Sequence, residues 1–254
     1  MSTLLLHGFT GSSHTWGSAV LDGLASAVGP PVLVDLPGHG RHTGDAAPWR
    51  FTFEAVEAEI GALSQGEPVD LVGYSMGGRF ALAYAARNPE RVSRLVLESS
   101  SPGLETQEER SERRTSDEAL ARFIEKEGIE AFVERWEALE LFESQGALPA
   151  DARATHRARR LLNHPRSLAA ALRGLGTGTL PSYWGSLPGL SVPVLVLVGA
   201  LDRKFSAIGT RMVELLPDAR LVQIAGAGHA IHLERPDAWL GAVLDFLGGG
   251  VGAP

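Results

Sequence analysis

The 254-residue chain is 44% hydrophobic, sets 23 basic against 30 acidic residues for a formal charge of −7, and contains no cysteine. A chain of this size and apolar content buries one substantial core. Its acidic balance argues against nucleic acid or an anionic membrane as a partner, and the missing thiols exclude disulfides, thiolate nucleophiles and cysteine metal sites.

The first residues, Thr3-Leu4-Leu5-Leu6, form an apolar run that reaches His7-Gly8 at once, which leaves no room for a signal peptide. No later run approaches membrane-spanning length, so a cytoplasmic protein acting on small molecules is expected. Similar runs, β-branched or leucine-rich and bounded by Gly, Pro or Asp, recur at 31–35, 69–74, 92–98, 194–199 and 220–224 and read as buried parallel strands. Helical periodicity fills most of the gaps, over 15–27, 53–63, 76–88 and 205–215, with a last helix over 237–246. This alternation predicts an α/β fold with a mostly parallel, doubly wound central sheet flanked by helices.

The alternation stops between Leu104 and Leu187, where the stripes Leu120, Phe123, Ile124 and Phe132, Val133, Trp136 read as helices. An inserted helical cap over 104–187 is therefore expected, with 1–103 and 188–247 as the core. The cap is split in charge: 104–143 holds 6 basic and 13 acidic residues, net −7, while 144–187 holds 6 basic and 1 acidic, net +5. Attraction between these halves is expected. The glycine-rich stretch 248–254 reads as a disordered tail.

The candidate chemistry begins at Gly73-Tyr74-Ser75-Met76-Gly77, which joins the strand at 69–74 to a helical pattern. A serine on such a turn has its hydroxyl forced out of the sheet, the glycines avoid collision with neighbouring backbone, and the helix N-terminus favours negative charge beside it. Serine becomes a useful nucleophile or base when a histidine takes its proton and a carboxylate fixes that histidine. Asp202 follows the strand at 194–199 and His229 follows the next one, in the chain order Ser75, Asp202, His229. Asp202 could instead cap a helix and His229 could be a loop histidine; Glu98 is the competing acid and His232 the competing base. The backbone N–H of Met76 is a candidate oxyanion donor. His39 and His42 have no carboxylate in ligand spacing, so no metal and no cofactor is predicted.

His7-Gly8-Phe9, Asp35-Leu36-Pro37-Gly38-His39-Gly40, Gly73-Tyr74-Ser75-Met76-Gly77-Gly78-Arg79 and Gly228-His229 together resemble the α/β-hydrolases over nearly the whole chain. Ser101-Pro102-Gly103-Leu104, the run 110–117, the run 132–136, Leu141-Phe142, Arg160-Leu161 with Asn163 and Pro165, Leu172-Arg173-Gly174, Gly176-Thr177-Gly178 and Asp202-Arg203-Lys204-Phe205 narrow it further. They resemble the 2-succinyl-6-hydroxy-2,4-cyclohexadiene-1-carboxylate synthases of menaquinone biosynthesis. The resemblance implies an α/β-hydrolase fold, the N–H of Phe9 as a second oxyanion donor, and lyase chemistry. A Ser75-His229-Asp202 triad would remove a proton next to the succinyl ketone of 2-succinyl-5-enolpyruvyl-6-hydroxy-3-cyclohexene-1-carboxylate and so expel pyruvate.

It also implies that Arg79, Arg113 and Arg160 hold the carboxylates of a small anionic substrate, with Tyr74 and Trp136 as pocket walls. Each has a plainer reading: Arg79 solvating its helix, Arg113 pairing with Glu109, Arg160 tying the cap halves, with Arg157 or Arg159 taking its place in a shifted register, and the aromatics filling the core. A carboxylesterase using the same triad is the chief alternative. A non-catalytic binding protein of this fold and a carbon–carbon bond hydrolase follow. The sequence sets no oligomeric state.

Overall fold

The computed structural model describes residues 2–44 and 47–248. Six strands, β1 (Thr3–Leu6), β2 (Val32–Val34), β3 (Val69–Tyr74), β4 (Val92–Glu98), β5 (Val194–Gly199) and β6 (Ala219–Ile224), form one sheet in the order β2-β1-β3-β4-β5-β6. Every pair is parallel. The chain runs outward from β1 to β2 and then returns to the other side of β1, so the order reverses between β1 and β3. Loops leaving the carboxyl ends of strands at such a switch point diverge and open a crevice.

Side-chain alternation explains why the sheet needs cover on both faces. Leu4, Leu6, Leu71, Leu95, Leu97 and Val196 point to one side, where α2 (Phe53–Leu63), α3 (Met76–Arg87) and α7 (Arg203–Leu215) supply Val56, Ile60, Phe80 and Met212. Leu5, Val72, Val96 and Leu195 point to the other, against Leu24 of α1 (Ser18–Val28) and Trp239 and Val243 of α9 (Pro236–Gly248). Helix α1 starts three residues later than its periodicity suggests, because Ser12 and Thr15 first close a capped 3₁₀ turn that turns Trp16 into the core. The short helix α8 (Ile231–Glu234) has no counterpart in the sequence reading. Of the stretch read as a disordered tail, 249–254 lie outside the described residues and Gly248 ends α9.

Between β4 and β5 the chain forms α4 (Gln107–Glu137), α5 (Ala150–Leu161) and α6 (Pro165–Leu175), with 3₁₀ stretches at Glu140–Ala147 and Trp184–Gly189. Thr106 and Glu109 form a capping box at the start of α4. The backbone of α4 leaves the helical region at Gly128 (φ 84°, ψ −179°), so its two apolar stripes lie on separate segments. Ala121, Ile124, Phe132 and Val133 from these segments meet Leu168, Ala169 and Leu172 of α6 in a small core of the cap's own. The oppositely charged halves pair as their totals suggest: Arg173 reaches Glu118 (2.7 Å) and Glu125 (2.6 Å), while Arg157 (2.6 Å) and Arg160 (2.8 Å) share Glu137. Exposed pairs such as those of Arg173 contribute at most about 1 kcal/mol each, so the apolar core supplies most of what binds the cap.

Helix α3 begins directly after Ser75 and runs so close to β1 that a Cβ on Gly77 would lie 2.2 Å from the carbonyl oxygen of Leu6. Gly77→Ala should therefore cost at least about 1–3 kcal/mol, read as a lower urea midpoint. Gly241→Ala on α9, where an added Cβ meets nothing within 4 Å, should instead stabilise the protein by about 0.5–1 kcal/mol.

Candidate active site

Ser75 sits at φ 50° and ψ −109°, outside the regions an L residue occupies without strain. It is held there from both sides. Its N–H donates to the carbonyl of Glu98 (2.9 Å), and its own carbonyl accepts from the N–H of Arg79 (3.1 Å) and the Ser100 hydroxyl (3.0 Å). The Ser75 Oγ lies 3.0 Å from Nε2 of His229, and Nδ1 of His229 lies 2.7 Å from Oδ2 of Asp202. The other oxygen of Asp202, Oδ1, accepts from the N–H of Phe205 (3.0 Å) and caps α7. The two readings of Asp202 are thus compatible, because each uses a different oxygen. A carboxylate facing Nδ1 puts the imidazole proton there and turns the Nε2 lone pair toward the serine hydroxyl.

Glu98 and His232 are engaged elsewhere. Glu98 is fully buried and accepts from the N–H and Nδ1 of His232 (3.1 and 2.8 Å) and from Nε1 of Trp239 (2.8 Å). The Tyr74 ring separates this pair from the serine array, with ring centroids 4.7 Å from His232 and 5.5 Å from His229.

The turn carrying Phe9 closes over Tyr74 and Ser75 from the end of β1. A Cβ on Gly8 would lie 2.7 Å from Cε1 of Tyr74, so only glycine permits this approach. Two neutral histidines brace the turn. His7 accepts from the Leu36 N–H at Nε2 (3.0 Å) and donates from Nδ1 to the Gly8 carbonyl (2.7 Å). His39 accepts from the Thr10 N–H at Nε2 (3.3 Å) and donates from Nδ1 to the carbonyl of Pro37 (3.0 Å). Burial pushes His7 down to about 4 and His39 down to about 3, so both remain neutral, as their acceptor nitrogens require. Asp35 binds the N–H groups of Ser13 (2.6 Å) and Arg41 (3.2 Å). The segment 35–40 therefore scaffolds the Phe9 turn. Among the described residues no group of three or more His, Cys, Asp or Glu side chains could hold a metal ion.

A cavity of about 930 Å³ opens above Ser75, with Met76, Asp202 and His229 at its floor and Phe9, Tyr74, Trp136, Phe142 and Phe205 along its walls. The N–H of Met76 is the first of α3, a position without an intrahelical acceptor. Arg79 and Arg113 both line this cavity. Arg79 donates to Oγ1 of Thr177 and to the carbonyl of Leu175 (3.5 Å), and its buried Nε has no hydrogen-bond partner. Burial, reinforced by the neighbouring charge of Arg113 and opposed by Asp117, lowers its pKa to about 9. Arg113 donates from Nε to Oδ1 of Asp117 (2.8 Å), whose carboxyl burial pushes up and whose Oδ2 is unpartnered. Asp117 thus pairs with Arg113, and Arg79 feels its charge without a hydrogen bond to it. Nε1 of Trp136, also buried, has no partner either.

Arg160, grouped with these two in the sequence reading, lies outside the lining. Glu137 at the end of α4 (2.8 Å) and Oε1 of Gln145 (3.2 Å) claim its guanidinium, which lies 5.3 Å above the Phe142 ring. Arg157 joins it on Glu137. Asp117 escaped the sequence reading although it stands four residues after Arg113 on one helix, the spacing of an ion pair. Glu109, considered there as the partner, is turned back onto the N–H groups of Glu105 (3.0 Å) and Thr106 (2.9 Å).

Comparison with known proteins agrees with the fold and narrows it. A family model of the alpha/beta hydrolase fold matches residues 4–236. A Bacillus subtilis (strain 168) protein provisionally described as 2-succinyl-6-hydroxy-2,4-cyclohexadiene-1-carboxylate synthase is 42% identical over 249 residues, covering 97% of this chain and 90% of that one. The synthase of that name from Pectobacterium atrosepticum is 35% identical over 250 residues, covering 95% and 92%. The structure of MenH from S. aureus matches with a TM-score of 0.89 at 35% identity, over 98% of this chain and 94% of that one.

The neutral histidines under the Phe9 turn make stability depend on acid. Unfolded, each binds a proton near its ordinary value of 6.5, whereas folded His7 waits until about 4 and His39 until about 3. The unfolded state therefore binds more protons in this window, and stability falls as pH drops from about 6.5 toward 4. Thermal unfolding across that range should show a falling Tm. His39→Asn should flatten the slope, whatever it costs at neutral pH.

Proposed function

This chain belongs to the α/β-hydrolase family and within it to the 2-succinyl-6-hydroxy-2,4-cyclohexadiene-1-carboxylate synthases, and on that premise we propose that it is a lyase eliminating pyruvate from 2-succinyl-5-enolpyruvyl-6-hydroxy-3-cyclohexene-1-carboxylate. The observation that carries the reading is the pair Arg79 and Arg113, two guanidinium groups that line one cavity with Ser75 while the carboxylate of Asp117 pairs with Arg113 and leaves Arg79 without an ion-pair partner among the described residues. Such a wall favours a ligand rich in anionic oxygen. A small neutral ester would leave that excess charge unanswered.

In this mechanism Ser75 Oγ removes the proton on the ring carbon next to the succinyl carbonyl while His229 Nε2 takes the serine's own proton. Asp202 steadies the resulting imidazolium. Charge collects on the carbonyl oxygen, where the N–H groups of Phe9 and Met76 are the donors. The electron pair then shifts through the ring alkene, the bond to the enolpyruvyl oxygen breaks, and pyruvate leaves as its enolate and takes up a proton. No bond forms between serine and substrate. The clamp consists of Arg79 and Arg113, with Tyr74 and Trp136 as walls, and Arg160 stands outside it.

Ser75→Ala and His229→Ala should each lower kcat by about 10⁴-fold or more, and the double variant should lose little beyond either single one, because the two act as a unit. Near wild-type turnover by folded Ser75→Ala would overturn the serine mechanism. Asp202→Asn should cost about 10⁴-fold in kcat by leaving the histidine in the wrong tautomer. Glu98→Gln should act on Tm instead, since that carboxylate serves His232 and Trp239.

Arg113→Gln keeps a donor for Asp117 while removing the charge. It should lower kcat/KM for the enolpyruvyl substrate by about 10- to 100-fold, the worth of a charge-assisted hydrogen bond. Hydrolysis of a small neutral aryl ester, and both reactions in Arg166→Met on the exposed face of α6, should barely change. No turnover of the enolpyruvyl compound by wild type, with good ester hydrolysis, would make the protein a carboxylesterase.

A further inference from the structure

A second cavity, of about 250 Å³, lies within the cap and is bounded by Arg153, Arg157 and Arg160 of α5, by Glu137, and by Phe142 and Gln145 of the 3₁₀ stretch. Spacings of four and three residues put the three arginines on one face of α5. Glu137, the one carboxylate in the lining, is shared by Arg157 and Arg160, and Arg153 donates to the Gly146 carbonyl (3.0 Å). Three guanidinium groups against one carboxylate leave an excess of two positive charges.

Gln145 and Glu137 together hold Arg160: it donates to Oε1 of Gln145 (3.2 Å) and to Glu137 (2.8 Å), and its side chain is only 13% exposed. The Arg157 side chain is 43% exposed and Arg153 is exposed as well, so these two guanidinium groups are the ones an anion in the cavity can reach. His156, on the same wall, is pushed down to about 4 by burial and then by Arg159 and Arg160, with Glu137 opposing. It is neutral at physiological pH and adds no counter-charge.

We propose that this cavity is a second anion site, separate from the cavity above Ser75, that takes a small dianionic oxyanion of the dicarboxylate or phosphate class on Arg153 and Arg157. The volume falls below that of sites for drug-sized ligands, which run from about 300 Å³ upward, and suits a molecule of a few non-hydrogen atoms. Phe142 is the common wall of the two cavities. Arg160 lies over its ring, which is 5.7 Å from Trp136 and 6.1 Å from His229. An anion that draws Arg157 from Glu137 therefore acts next to the wall of the serine cavity.

The test follows the histidine ring resonances of the wild-type protein during titration with malonate and, separately, with inorganic phosphate, at constant ionic strength. The His156 signal is identified by its loss in His156→Gln. A bound dianion favours imidazolium, so the pKa of His156 should rise saturably. The anion that saturates at lower concentration names the class. In Arg153→Gln/Arg157→Gln the affinity should fall at least about tenfold, the loss of one charge-assisted bond; Arg153→Gln alone, which gives up no ion pair, should show part of that loss. Failure of both anions to saturate the His156 shift would overturn the proposal. So would unchanged saturation in the double variant, or a response confined to His229, which reports the cavity above Ser75.

Discussion

The constraint on which the molecule is organised is the backbone of Ser75, held at positive φ between the last residue of β3 and the first of α3. That conformation is strained by about 1–3 kcal/mol and persists because its neighbours permit nothing else. The Glu98 carbonyl takes its N–H, the Arg79 N–H and the Ser100 hydroxyl take its carbonyl, and Gly77 lies against the Leu6 carbonyl too closely for any side chain. The same packing fixes the Met76 N–H beside the hydroxyl and places Arg79 one turn further along the same helix. It also sets how near the end of β1 can come, and with it the Phe9 turn. One strained residue therefore fixes the positions of the groups proposed to act as base, oxyanion donor and clamp.

The cap contributes electrostatics of two kinds. On its outer faces Arg173 with Glu118 and Glu125 is exposed and screened by water, and such pairs add little to stability. Toward the serine, Arg113 of the cap presses on Arg79 of α3, which is partly buried and has no carboxylate of its own, so that the Arg79 charge is held at a cost. Burying like charges is unfavourable until an anion joins them. The energy is regained when an anion binds, which suits a binding wall better than a structural one. Asp117 moderates the repulsion without ending it, since one of its oxygens remains unpartnered.

Much of the architecture could be read from local pattern, and the reason is burial. Strands β3, β4 and β5 are covered on both faces, so their apolar runs begin and end where the strands do. The serine elbow and the positions of Asp202 and His229 were legible because each is tied to a strand end by its own short motif. What local pattern could not carry was the choice of side-chain partner. The split of cap charge was visible as a sum, but nothing in it said that Glu137 would hold Arg160 away from the serine cavity or that Asp117 would hold Arg113. The break at Gly128 was equally hidden: the apolar stripes on either side were read correctly, while the angle between them depends on α6, which both must cover. The late start of α1 has a plainer cause, a capping box at Ser12 and Thr15 that competes with helical periodicity.

The hydrogen bond between Ser75 and His229 spans 154 residues. Its partners stand at the ends of β3 and β6, with β4 and β5 between them and Asp202 supplied by the loop after β5. β6 is an edge strand, and its residues are only partly covered where those of the inner strands are buried. Contacts of such long sequence separation form only after the intervening loops have been closed. The serine thus meets its histidine only once the outermost strand has docked on the sheet. A chain halted at any earlier stage of folding would present Ser75 without the imidazole that faces it in the finished protein.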